Sequence, residues 1–124
     1  MEAAVKGFDE VLSRNKGDLG LYFRSLYSVF RFIESTAHDS KHDFGRVVRS
    51  LLSDYELVLL FYNSFSAKGL KFKDFAIKYE LFDNLDVALL VKPEHVVHME
   101  YKAYKGNPDA LAIYRKYGAS GSLV

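Results

Sequence analysis

The sequence predicts an all-α fold, a compact bundle of about six to seven helices around a buried central helix near residues 54–65. Apolar residues recur three or four positions apart in several segments, which is the period of an amphipathic helix. Helix-start signals precede two of these segments: a capping box at Ser53 and Glu56, and Asn107 followed by Pro108. We expect residues 1–118 to form one helical domain and residues 119–124 a flexible tail.

Two helices are predicted before residue 40. Val5, Phe8 and Leu12 mark a short first helix that ends at residues 15–17. Asp18 is predicted to cap a longer second helix. The apolar stripe of this helix consists of Leu19, Phe23, Leu26, Phe30, Ile33 and Ala37.

The middle of the chain contains the predicted central helix. The polar segment 38–43 is predicted to be a loop. A third helix is then marked by Phe44, Val47, Val48, Leu51 and Leu52. The fourth helix is predicted to begin near Asp54, and its residues 57–62 are apolar on every side. A buried strand is the competing interpretation of this run; we prefer a helix because the capping box precedes it.

The last third of the chain is less regular. A fifth helix is predicted through Phe72 and Tyr79, followed by a corner at residues 81–86. Residues 87–91 fit either a helix end or a short strand, and both interpretations stay open. Pro93 suits the first turn of a helix reaching Tyr101, and the last helix should run from Pro108 to residue 118.

Composition excludes several classes of protein. The formal charge of +1 does not indicate a general nucleic-acid binder. The chain has no cysteine, which excludes disulfides and thiolate zinc sites. The longest apolar run, residues 57–62, is too short to span a bilayer, so we expect no membrane insertion by this chain and a cytoplasmic location. A longer natural chain would allow tethering to the inner membrane.

Two histidine pairs were considered as metal ligands. His38 and His42 are four residues apart beside Asp39 and Asp43, but the segment is predicted to be a solvated loop without a third ligand. His95 and His98 form a similar weak cluster with Glu94. We therefore predict no metal site and no cofactor.

Arg31 and His38 are the candidate catalytic pair. They are seven residues apart, which places them two turns apart on one helix face. This spacing resembles the arginine and histidine pattern of the HEPN family of helical ribonucleases. The resemblance implies that His38 would act as an acid or base and Arg31 would hold the phosphate.

Two segments rich in basic residues could bind nucleic acid or could simply expose their lysines to solvent. A tyrosine-rich end could stack nucleobases and pair phosphates, which makes single-stranded nucleic-acid binding an alternative; it contains Tyr101, Lys102, Tyr104, Lys105, Tyr114, Arg115, Lys116 and Tyr117. Tyrosines that bury their rings beside solvated lysines explain the same composition. Lys68, Lys71 and Lys73 are interpreted as a solvated edge of a loop.

Charged residues beside the apolar stripes are expected to have architectural roles. Arg24, Arg46, Arg49 and Glu56 adjoin apolar helix faces. We expect at least one of them to form a buried ion pair that fixes how the central helices meet.

Several motifs together resemble the phage abortive infection family of AbiC type. The resemblance covers roughly residues 19–85 and includes the stretches 22–27, 49–63, 72–73 and 78–85. Its motif residues are Tyr22, Phe23, Arg24, Tyr27, Arg49, Ser53, Glu56, Tyr62 and Asn63. The resemblance implies a bacterial or prophage-borne defence role and no established catalytic residues. It also implies membrane-spanning and coiled segments ahead of this region, and the expectation is that this chain lacks them.

The motif residues are mainly aromatic, aliphatic, arginine or glutamate, rather than a set of acids, bases and nucleophiles. The first hypothesis is therefore a non-enzymatic sensing or protein-interaction module that binds a protein partner or itself. A ribonuclease using Arg31 and His38 is the alternative, and single-stranded nucleic-acid binding is a further one.

Overall fold

The fold is all-α, as predicted, in a computed structural model that describes residues 1–36 and 39–118. These residues contain no strand. Six α-helices are α1 (Glu2–Arg14), α2 (Lys16–Ser35), α3 (Lys41–Ser50), α4 (Asp54–Asn63), α5 (Leu70–Lys78) and α6 (Pro108–Tyr117). Four short 3-10 helices span Ala67–Gly69, Val87–Leu89, Pro93–His98 and Tyr101–Tyr104. The predicted tail, residues 119–124, lies outside the described residues.

Helix α4 is the buried central helix, as predicted. The Glu56 amide donates to Ser53 Oγ (3.2 Å), and the Ser53 amide donates to Glu56 Oε1 (2.9 Å), which completes the capping box. The buried residues of α4 are Leu57, Leu60, Phe61, Tyr62 and Asn63. Because the capping box directs the chain into a helix, the competing strand interpretation is wrong.

The first two helices are separated by one residue. Asn15, whose side chain donates to the Val11 carbonyl (2.8 Å), ends α1 and is followed directly by α2. Asp18 therefore lies in the first turn of α2, and the prediction that it caps the helix is wrong. The predicted loop 38–43 was also too long, because α3 already begins at Lys41.

Helices α2 and α5 meet through aromatic rings. The ring of Phe30 lies 5.8 Å from that of Phe75 and 5.4 Å from that of Tyr79. At the edge of this cluster, Lys78 Nζ and Tyr79 Oη both donate to the Glu34 carboxylate. The C-terminal half of α2 is thus attached to the end of α5 by both apolar and polar contacts.

The segment after α5 contains turns and 3-10 helices. Residues 87–89 form a 3-10 turn because the Asp86 carboxylate accepts from the Ala88 amide (3.1 Å), so the alternative of a strand at 87–91 is wrong. The helix predicted from Pro93 to Tyr101 is instead two 3-10 helices interrupted at Met99 and Glu100. At Met99 the backbone is extended, which ends the first of them.

The Asn107 side chain is central to the last connection. Its Oδ1 accepts from the Ala110 amide (3.2 Å), which confirms the predicted cap of α6. Its Nδ2 donates to the carbonyls of Phe82 (3.0 Å) and Leu85 (2.9 Å). One side chain therefore starts α6 and holds the predicted corner at 81–86 against it.

Candidate functional site

Tyr22, Ser53 and Glu56 form one network between α2 and α4. Tyr22 Oη donates to Glu56 Oε2 (2.7 Å), while the other carboxylate oxygen accepts from the Ser53 amide. The bonds from the Ser53 amide and from Tyr22 lower the pKa of Glu56. Burial and the neighbouring carboxylate raise the pKa of Tyr22, so its hydroxyl stays protonated. These residues join helices and do not line an open site.

Arg49 is buried, but its partners are backbone carbonyls. Its Nη1 donates to the carbonyl of Tyr79 (2.9 Å) and, at 3.4 Å, to that of Glu80. Arg24 and Arg46 are exposed, and Arg46 lies 3.8 Å from Asp43 at the surface. The prediction of a buried ion pair is therefore wrong, because the buried Arg49 binds backbone carbonyls and not a carboxylate. These carbonyls lie at the C-terminal end of α5, where the helix dipole is negative and attracts the guanidinium.

Tyr62 and His95 form a buried polar pair. The Val91 amide donates to Tyr62 Oη (2.9 Å), and this hydroxyl lies 2.8 Å from His95 Nδ1. The Tyr62 hydroxyl can donate to Nδ1 when the imidazole is neutral and carries its hydrogen on Nε2. Burial, followed by nearby positive charges, lowers the pKa of His95. This pair anchors the 91–95 segment on α4.

The remaining motif residues Phe23, Arg24, Tyr27 and Asn63 line a pocket between α2, the end of α4 and the start of α5. The pocket has a volume of about 430 Å³. We call it the basic pocket, because four cationic side chains line it and no acidic one does; the full lining is Leu12, Lys16, Gly20, Phe23, Arg24, Tyr27, Asn63, Lys68, Lys71 and Phe72.

One face of α2 forms a wall of the basic pocket. Lys16, Gly20, Phe23 and Tyr27 are spaced by three or four residues, so their side chains project in similar directions. A Cβ atom at Gly20 would lie 3.1 Å from Arg24 Nη1. The absence of a side chain at Gly20 therefore leaves the space in which the Arg24 guanidinium lies.

The opposite wall depends on a tight turn after α4. A Cβ atom at Gly69 would lie 1.8 Å from the carbonyl oxygen of Asn63, so only glycine fits there. This close approach brings residues 67–71 back against the end of α4. Lys68 and Lys71 are consequently placed beside Asn63, across from α2.

The cations of the basic pocket are not neutralised by ion pairs. Within residues 1–36 and 39–118 the ion pairs are Arg46 with Asp43 and Lys78 with Glu34, neither of which involves a pocket residue. Lys68 and Lys71, which were predicted to form a solvated edge, are exposed as expected but also border the basic pocket. Phe72 was predicted as a position of the fifth helix. Lys16 and Gly20 were missed, although their spacing along α2 is a signal that could have identified them.

The other predicted residues lie away from the basic pocket. Arg31 is exposed on α2, and His38 lies outside the described residues, so the predicted pair stays a prediction. Tyr104 of the tyrosine-rich end is fully buried and donates to the Val96 carbonyl (2.6 Å), so its ring cannot stack on a base. In the described part of the chain, no group of three histidine, aspartate or glutamate side chains could hold a metal ion.

Residues 14–89, more than half of the chain, match a family described as "Putative phage abortive infection protein". The chain belongs to this family. This confirms the resemblance of the sequence motifs to the AbiC type, and the basic pocket lies within the matched segment except for Leu12.

No curated protein and no solved structure matches the chain. The broad role of the chain, phage abortive infection, comes from its membership of the family. Within the described residues, no helix has both the length and the apolar character needed to cross a membrane.

Proposed function

We propose that this member of the abortive infection family acts by contact, as a non-enzymatic sensing or protein-interaction module. The observation that supports the proposal is an apolar surface on α3. Val47 is 50% exposed and Leu51 is 76% exposed, and Phe44 precedes them on the same side of the helix. We call these three residues the α3 outer face.

The opposite side of α3 explains why this face points outward. Gly45 and Arg49 are buried, and a Cβ atom at Gly45 would lie 2.6 Å from Tyr79 Cδ1. Arg49 binds the carbonyls at the end of α5. Because this side of α3 packs against Tyr79 and the turn that follows α5, the α3 outer face is directed to solvent.

A further exposed apolar residue lies on α2, the helix that packs against α3. Phe32 of α2 is 71% exposed. A single exposed apolar residue is ordinary, but a group of them on one helix face, as on α3, commonly marks a protein-protein contact. The motif residues Tyr22, Arg49, Ser53, Glu56 and Tyr62 then support the scaffold that presents this surface.

A phage-plating and cell-survival assay tests the proposal. Cells that express the wild-type chain should restrict phage, and Val47→Ser with Leu51→Ser should lose protection while the protein remains folded and equally abundant. The matched control is Val11→Ser with Val91→Ser, which changes two other exposed valines, 45% and 68% accessible. The control should protect as well as wild type.

Two outcomes would contradict the contact module. The first is full protection by the Val47→Ser, Leu51→Ser variant. The second is loss of protection only in an Arg31→Ala, His38→Ala variant, which would favour the ribonuclease alternative and would call for an RNA cleavage assay.

A further inference from the structure

We propose that the basic pocket is a binding site for a mononucleotide. The domain would then bind a small molecule as well as the protein partner proposed above. The phosphate groups would lie against Arg24, Lys68 and Lys71, and the base against the rings on α2. The inference uses none of the residues of the α3 outer face, so the two proposals can fail separately.

The first support is unbalanced charge. Four cationic side chains surround one cavity in a chain whose formal charge is +1. None of them forms an ion pair within the described residues. Cations that line one cavity and form no ion pair remain available for charge-assisted hydrogen bonds to a phosphate group.

The second support is the nature of the walls. Phe23 and Tyr27 are half-buried, so each contributes ring surface to the pocket while it packs on the core. Aromatic faces beside cations can stack on a nucleobase while the cations bind its phosphates. An inorganic anion alone would not need these rings.

The third support is an unpartnered amide. Asn63 is only 5% exposed, yet its side chain makes no hydrogen bond with any described residue. No buried side-chain nitrogen or oxygen among the described residues lacks a hydrogen-bond partner, so the amide atoms of Asn63 are accessible to solvent at the pocket wall and can bond a ligand there. An amide offers both a donor and an acceptor, which suits the edge of a base.

The volume of the pocket fits a small ligand better than a nucleic-acid strand. Its volume of about 430 Å³ lies in the range of small-molecule sites. A strand would need a groove that continues past the site. The pocket is instead defined by ten lining residues around a volume of small-molecule size.

Isothermal titration of the purified full chain with ATP, GTP, CTP and UTP tests the inference. At least one should bind with a Kd below about 1 mM at low salt. Tripolyphosphate alone and the corresponding nucleoside alone should each bind at least about tenfold more weakly, because each lacks half of the contacts. No binding of any of the four nucleotides would overturn the inference, and so would equal affinity for tripolyphosphate.

A matched pair of variants tests the location. Lys68→Gln with Lys71→Gln should weaken nucleotide binding at least about tenfold, since each lost charge-assisted contact has this order of effect. Lys102→Gln with Lys116→Gln removes the same charge from exposed positions outside the pocket and should leave the affinity unchanged. Unchanged affinity in the first variant, or tighter binding of a single-stranded oligonucleotide than of the mononucleotide, would overturn the assignment.

Discussion

At the scale of single residues, several polar side chains of this domain bind the backbone of another element. Arg49 holds the end of α5, Asn107 holds the 81–86 corner, and Tyr62 accepts from the Val91 amide. Backbone groups at turns need hydrogen-bond partners when they are buried, and these side chains supply them. The family motif therefore includes residues that support the scaffold as well as residues that line the basic pocket.

Arg49 provides the prediction at this scale. Arg49→Met keeps much of the apolar stem but leaves the Tyr79 carbonyl without its donor, and we expect a loss of about 1–3 kcal/mol in the free energy of unfolding. The measurement is urea denaturation. Arg46→Met, at an exposed position of the same helix, should change the free energy by less than about 0.5 kcal/mol. Equal effects of the two substitutions would refute this role for Arg49.

At the scale of elements, the end of α5 determines how three parts of the chain meet. The Leu81 amide donates to the Ala76 carbonyl (2.9 Å) and the Glu80 amide to that of Ile77 (3.3 Å), which is a Schellman ending. The ending places Glu80 at a φ of 54°, in the left-handed region. The Arg49 guanidinium then binds the carbonyls exposed at this turn.

The left-handed residue gives the prediction for this element. Glycine adopts a positive φ without the steric cost of a Cβ atom, so Glu80→Gly should raise the free energy of unfolding by about 1 kcal/mol. Thermal and urea unfolding would measure the change. Glu80→Ala is the matched control, because it removes the carboxylate but keeps the steric cost of a Cβ atom at positive φ. If Glu80→Ala raised the free energy of unfolding as much as Glu80→Gly, the backbone conformation would not be the cause.

At the scale of the whole molecule, the fold separates two candidate surfaces. The basic pocket lies between α2, the end of α4 and the start of α5, whereas the α3 outer face points away from the contact of α3 with Tyr79 and the turn that follows α5. Helix α2 contributes to both regions: Phe23 and Tyr27 line the pocket, and Phe32 is exposed near its C-terminus. Binding in the pocket and contact at the surface would thus act on the same helix.

Stability of the whole domain should fall in acid. The folded pKa of His95 lies below its ordinary value of 6.5, mainly because of burial, so the unfolded chain binds the proton first. The free energy of unfolding should decrease as the pH falls from about 6.5 through the folded pKa. His98 has a lowered pKa for the same main reason and adds to this decline. Denaturation curves measured between pH 8 and pH 5 would show it.

A second decline should begin below about pH 4.5, because hydrogen bonds lower the pKa of Glu34 and of Glu56 in the folded state.

The control for the first decline is His95→Gln, which keeps an acceptor for the Tyr62 hydroxyl but does not titrate. Its decline between pH 6.5 and pH 5 should be smaller than that of wild type. An unchanged decline would show that His95 does not control stability in this range.

The helical class, the central helix and the starts of α4 and α6 could be predicted from the sequence. These features depend on local signals: the helical period, the capping box at Ser53 and Glu56, and the cap at Asn107. The motif residues also led to the correct family before the fold was known. The strand alternative at 87–91 and the Asp18 cap were wrong because a 3-10 turn and a one-residue junction differ little in sequence from the structures expected.

The contacts between polar residues depend on how the helices pack together and could not be predicted from the sequence. The partner of Arg49 is a backbone carbonyl 30 residues away, which no side-chain pattern encodes. The basic pocket likewise needs the α2 face, the end of α4 and the turn at Gly69 to be brought together. Local periodicity specifies a helix and its faces, but the packing of one helix against another depends on side chains that are distant in sequence, and that packing creates the pocket.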